Sequence, residues 1–180
     1  DDINVIFELI MAEAKNITNA DGRTLYMISD DGQTMKFEIM QTDSMDIAQG
    51  GTTGVEIKIP PMQLFDEKGN PNHSSNVAYS ANTGKTANIK NVYTAKGFDF
   101  TGPKTFDKNT GYKTKSVMSV PLKNHENDIV GVMQLINATD KKSGKVVAFS
   151  DDMQQQVESL ASQGAVALTN KRLVAELKNL

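Results

Sequence analysis

The segment Ile129–Ala138 (IVGVMQLINA) is apolar for most of its length, and a single glutamine, Gln134, breaks the run. A stretch of this kind reads as a strand buried on both faces near the middle of a sheet. Side chains alternate along a strand, so Val132, Gln134 and Ile136 share one face while Met133 and Leu135 share the other, helix-packed one. A buried glutamine without a partner costs ~1–3 kcal/mol, so a ligand, a water or a neighbouring side chain must satisfy it. The polar turn KNHEND joins this strand to a second strong one, SVMSVPL, at residues 116–122.

The rest of the chain organises around that pair. Ile3, Ile6, Phe7, Ile10, Met11 and Ala14 recur at helical spacing and predict an N-terminal helix over residues 1–18. RTLYMIS and TMKFEIM flank the Asp30-Asp31-Gly32 turn and read as a hairpin. VEIKIP at 55–60 alternates in the same way and is expected to be a further strand, stopped by Pro60-Pro61. Residues 61–75 are turn-rich and read as a long loop. NVAYSANTG predicts a short helix ended by Gly84, and ANI a brief extended piece. Residues 93–115 hold three glycines and a proline and read as an irregular excursion with a helical turn or two. From Ser150, an N-cap followed by Asp151 and Asp152, the chain is helical to residue 180. One α+β domain over 1–180 follows. Helices, the N- and C-terminal ones included, cover one face of a central antiparallel sheet, and the irregular segment covers a pocket on the other.

Composition excludes several classes of function. Without cysteine there are no disulfides and no thiolate chemistry, and a cytoplasmic location is expected. A formal net charge of −3 with mixed signs argues against nucleic acid. No apolar run approaches the ~18 residues of a membrane span. His73 and His125 lie in separate polar turns, which offers neither a metal cluster nor a Ser-His-Asp base. Gly84-Lys85-Thr86 resembles the end of a phosphate loop, but Tyr79 stands where its first glycine belongs. Asp107, Asn109 and Gly111 hint at a calcium loop, but Met118 stands where the closing glutamate belongs. No catalytic constellation is expected.

Several blocks point elsewhere: Ala81 to Lys85 (ANTGK), Asn88-Ile89 with Tyr93, Phe106-Asp107 with Thr110-Gly111-Tyr112 and Thr114, the Pro121 strand, and Gly131 to Asn137 (GVMQLIN). In this order and spacing they closely resemble the GAF family, in particular the branch found in cyclic-nucleotide phosphodiesterases and bacterial adenylyl cyclases. The 61–75 loop is closer to bacterial GAF domains attached to HD-GYP phosphodiesterases, diguanylate cyclases or adenylyl cyclases. Many members carry Asn-Lys after the last core strand, then Phe and Asp-Glu entering the last helix. Asn137 and Phe149 match, while Ala138, Met153 and Gln154 depart. The Lys–Asp partners of that motif are lost together, so no buried charge is orphaned.

The resemblance implies a ligand between the sheet and segment 93–115, with Thr24, Met40, Gln41, Asn76, Val77, Phe100, Asp107, Thr110, Thr114 and Gln134 as its site. No cofactor is required, and a bound cyclic nucleotide, cAMP or cGMP, is the expected occupant. Gln41 and Gln134 replace acids common in cyclic-nucleotide binders, so the purine stays open. The set suits a purine nucleotide, with apolar walls, polar readers of base edges and amides near Asn76 and Val77 for a phosphate. Met40, Val77 and Phe100 serve equally well as plain core, Thr110 and Thr114 as turn caps, and Asp107 as a cap of the Asn109-Thr110 turn.

The terminal helix, 150–180, exceeds what a domain this size needs. Val166, Asn170, Leu173, Leu177 and Leu180 alternate four and three apart like a coiled-coil seam. It reads as a signalling helix that forms a homodimer with its counterpart, helped by the N-terminal helix, and leads to an attached output domain. The chain starts and stops mid-helix, as a piece of a longer protein would. The alternative is a GAF module for dimerisation and signal relay that binds no nucleotide.

Overall fold

A computed structural model describes residues 2–179, without the side chains of residues 2, 172 and 174–176. The chain runs α1 (Asp2–Thr18), β1 (Gly22–Ile28), β2 (Thr34–Thr42), a single 3-10 turn (Asp43–Met45), β3 (Ile47–Gly50) and β4 (Met62–Gln63). It continues through α2 (Asn76–Thr83), β5 (Ala87–Ile89), α3 (Thr101–Thr110), β6 (Val117–Lys123) and β7 (Ile129–Ile136). The small hairpin β8 (Ala138–Thr139) and β9 (Val146–Val147) precedes α4 (Asp151–Lys178).

The main sheet is antiparallel throughout, in the order β3-β2-β1-β7-β6-β5, with β4 pairing β2. β7 is central, as its apolar run requires. Its Met133 and Leu135 are buried with Leu25, Met118, Val120 and Leu122 in one core cluster. That cluster takes Phe7, Ile10, Met11 and Ala14 from α1 and Val157, Ala161, Ala165 and Leu168 from α4. The stripes repeat at three and four residues, so both helices lay one face on the same side of the sheet. The other face carries two smaller clusters. Tyr26 and Val132 pack with Val77, Ala78 and Ala81 of α2, while Val117 packs with Ile89, Val92 and Phe100.

Local chemistry sets the element ends. The β1–β2 turn closes with Gly32 at φ 73°, and Ser29 Oγ donates to Asp31 Oδ1 at 2.6 Å. Ser75 caps α2 at its start, and Gly84 closes it at φ 71° with its amide on Ser80 O. A bulge between Leu25 and Tyr26 sends Ile39 to the helix side and brings Phe37 onto the Tyr26 ring, 4.6 Å between centroids.

Two expectations need correction. VEIKIP is not a strand: β3 takes the edge of β2 instead, and Gly50 N donates to Val55 O, folding the alternating segment back where it has no ladder. The excursion 93–115 contains a ten-residue helix, α3, which its glycines and proline disguise. Pro103 sits in the first turn, where no intrahelical donor is lost, and Gly111 is the left-handed cap beyond the end.

Gly131 lies where β7 meets β1 most closely. A Cβ there would stand 2.3 Å from Tyr26 O, which a backbone cannot yield. Gly131→Ala should therefore destabilise the domain by about 1–3 kcal/mol in urea unfolding. Gly102→Ala, with open space around it, should be neutral or slightly stabilising.

Candidate functional site

Register places one row of side chains across the face opposite α1 and α4. Met40 pairs with Thr24, Thr24 with Gln134, Gln134 with Ser119, and Ser119 with Ala87. Directly opposed residues of an antiparallel ladder share a face. The row runs between the two apolar clusters, since Tyr26 and Val132 lie on one side of it and Val117 and Ile136 on the other.

Asn76, the first residue of α2, closes over this row. Its Oδ1 accepts from Ser119 Oγ at 2.5 Å and from Gln134 Nε2 at 3.1 Å. Gln134 Oε1 in turn accepts from the Tyr26 hydroxyl at 3.4 Å, and burial raises the pKa of that phenol. A neighbour thus satisfies Gln134 in part. Nε2 bonds one partner among the described residues, so one of its two N–H groups stays uncommitted. Asn76 Nδ2 has no acceptor among the described residues. The first-turn amides of Asn76 and Val77 have no intrahelical acceptor either. The cluster can present several neutral donors to one acceptor-rich ligand.

The structure brings Thr24, Met40, Asn76 and Gln134 together and flanks them with Val77 and Phe100, which are also buried core. Gln41 falls one residue off the row and so on the helix-covered face. Its Oε1 accepts from Arg23 Nε at 3.1 Å, and the buried Arg23 forks onto Asp43 at 2.8 and 3.1 Å. Asp107 and Thr114 join each other: Thr114 N and Oγ1 both donate to the Asp107 carboxylate at 2.8 Å, and the Tyr93 hydroxyl donates to the same group. Donating that bond to a carboxylate raises the Tyr93 pKa. Thr110 is exposed at the end of α3, where it donates to Phe106 O at 2.7 Å and accepts from Tyr112 N. It therefore caps the end of α3, while the bonds of Gln134 run to Asn76 and Tyr26.

Sequence reasoning missed Ser119 and Tyr26 as site residues and singled out Tyr93 only as a motif match. Ser119 interrupts SVMSVPL as Gln134 interrupts its own strand, so the same signal was available there. Asn137, singled out only as a motif match, is the main tie of the segment after α3. At φ 59° it accepts from Lys115 N and Ser116 N and donates to Lys113 O and the Tyr112 hydroxyl. Burial, then the bond to Asp21, raises the Tyr112 pKa.

A helix-backed antiparallel sheet, with a short helix and a polar row on its opposite face, defines an α+β domain with a candidate ligand site. The GAF domain family model matches residues 2–168, and the chain belongs to that family of small-molecule-sensing regulatory domains of signalling proteins. Over 99 residues it is 33% identical to the dual 3',5'-cyclic-AMP and -GMP phosphodiesterase 11A of Takifugu rubripes, covering 55% of this chain and 10% of that protein. The chain thus spans about a tenth of that curated relative. The second GAF domain of DevS from Mycobacterium smegmatis shares the fold at TM-score 0.61 and 16% identity, over 97% of this chain and 99% of that one. The PixJ GAF domain of Thermosynechococcus elongatus, in its blue-light-absorbing form, does so at 0.62 and 12%, over 99% and 91%.

The Arg23 guanidinium, with Lys15 beside it, lowers the Asp43 pKa from 3.8 to about 2. A folded value below the unfolded one means that ionised Asp43 stabilises above pH 3.8 and that this contribution fades as pH falls toward 2. Asp43→Asn should flatten the fall of the urea midpoint across that window. Parallel wild-type and variant curves would show that the pair contributes nothing.

Proposed function

We propose that this domain binds a cyclic purine nucleotide, cAMP or cGMP, on the polar row and signals occupancy through α4 to an attached output domain. That output is an HD-GYP phosphodiesterase, a diguanylate cyclase or an adenylyl cyclase. The observation that carries the reading is the uncommitted amide hydrogen of Gln134 beside Asn76, on a row that Thr24 and Met40 complete. A purine edge offers acceptors to those donors, and Phe100 with Ile136 supplies an apolar wall on one side. The fish relative's name, which specifies both cyclic nucleotides, points the same way. On this reading the domain is regulatory, needs no cofactor to fold, and works in the cytoplasm, in keeping with its lack of cysteine. Among the described residues no helix is long and apolar enough to cross a membrane.

In a thermal-shift panel of cyclic mono- and dinucleotides, cAMP or cGMP should raise the midpoint. Gln134→Leu should weaken that nucleotide about tenfold, because an apolar isostere cannot replace the hydrogen bond. Unchanged affinity would remove Gln134 from the site.

The second reading, a dimerisation and relay module without nucleotide, rests on the partners Gln134 already has and on the helices. Val5 and Leu9 on α1 and Leu173 and Leu177 on α4 are exposed, each pair one turn apart. Val166 is half-buried and Asn170 exposed, while Leu180 lies outside the described residues. Both readings share a homodimer through these helices. Sedimentation should show self-association that Leu173→Glu with Leu177→Glu abolishes, each leucine losing ~1.5–3 kcal/mol of burial. A wild-type chain that stays monomeric at high concentration would refute it. Dimerisation with no response to any nucleotide in the panel would favour the relay reading.

A further inference from the structure

A cavity of about 640 Å³ lies apart from the polar row, between the segment after β5, the face of α3 that carries Lys104, Asp107 and Lys108, and the stretch that follows α3. Lys104, Lys108, Lys113 and Lys115 line it. Lys104 and Lys108 are four apart on a helix and so share one face, while Lys113 and Lys115 flank the buried Thr114 and line the opposite wall. Two walls therefore each present a pair of ammonium groups. None of the four makes an ion pair among the described residues.

The only acid of the lining is Asp107, so one carboxylate, already turned toward Thr114 and Tyr93, stands against four ammonium groups. Two bonds from Thr114 and one from Tyr93 occupy it, and it is buried. Lys104 Nζ rests 5.8 Å from the centre of the Tyr93 ring, a cation–π contact that supplies no anionic partner. Four cations gathered in one concavity of a chain with formal net charge −3 cost mutual repulsion that a bound anion would relieve. The polar row shows the opposite character, since its donors are neutral amides and hydroxyls.

We propose that this cleft binds a small polyanionic phosphate compound, a di- or triphosphate, at a site separate from the polar row. Multiple charge is needed because exposed lysines hold a single charge weakly and salt screens them. Inorganic pyrophosphate is the probe, titrated by calorimetry at low ionic strength into the full chain. Binding should weaken as salt rises, and Lys108→Glu with Lys113→Glu should reduce affinity at least about tenfold. Both side chains are exposed, so the variant should keep its unfolding midpoint. The control is Lys68→Glu with Lys142→Glu, which changes net charge equally at exposed sites outside the cavity lining and should retain binding. Gln134→Leu should also retain it, which separates this site from the nucleotide site. ADP tighter than pyrophosphate would assign a nucleotide, and equal affinity a free polyphosphate; either result supports the cleft. Absence of pyrophosphate binding, an equal loss in the control, or a loss in Gln134→Leu would overturn it.

Discussion

Gly22, Thr24 and Tyr26 of β1 face Ile136, Gln134 and Val132 of β7 one to one, and β6 pairs with β7 in unbroken register from Val117 to Leu122, slipping only at Lys123. A slip of one residue would turn Met133 and Leu135 away from the helices and bury Gln134 beneath them. Six fully buried side chains from β1, β6 and β7 hold the register from the helix side. The close approach at Gly131 holds it from within the sheet. The polar row, the seat of α2 and the two flanking clusters all follow from that pairing. A sensor needs such a floor, because weak neutral donors discriminate only if their spacing does not drift.

Above the floor, α3 and the stretch after it are held chiefly by polar ties. Asp107 gathers Tyr93 and Thr114, Asn137 gathers residues 112–116, and Tyr112 reaches Asp21 beyond β1. Few apolar contacts support this region: of the ten residues of α3, only Asp107 is buried. Elements held in this way lie at the low-stability end of a domain, where ligand-responsive segments are usually found. The contrast with α1 and α4, whose stripes are fully packed, divides the molecule into a rigid back and an adjustable front.

The entry to α4 handles a missing ion pair without leaving a buried charge. Ala138 is fully buried where the family often has lysine, and Met153 packs against the core where it often has an acid. Hydrogen bonds, mostly between neutral groups, stand in place of the pair, and the one carboxylate among them, Glu158, is only half-buried. Asn88 Nδ2 donates to Phe149 O at 3.1 Å and to Gln154 Oε1 at 2.9 Å, and Gln154 reaches Glu158, which also accepts from Thr86. Neutral groups avoid most of the desolvation cost of a buried ion pair. The strand next to the pocket face is thereby still joined to the first turns of the exit helix. Asn88 Oδ1 is left buried with no partner among the described residues.

Much of this architecture was legible in the chain, because period and burial are local properties of a sequence. The apolar run of β7 announced a central strand, its alternation assigned Gln134 to the face with Val132 and Ile136, and Gly84 marked the end of α2. The stripe of α1 and the N-cap of α4 were equally plain. VEIKIP failed because alternation says that a segment suits a sheet edge, and only the fold shows that β3 already occupies it. Gln41 failed for a related reason: adjacent residues on a strand face opposite ways, and the pairing of Arg23 with Asp43 claimed it. Thr110 and Gln134 looked like partners, yet a helix cap and a cross-strand row are satisfied by different neighbours. The sequence determined which residues want burial and which need a hydrogen-bonding partner. Only the tertiary structure decided who that partner is, because a hydrogen bond depends on distances between segments that the chain order leaves open.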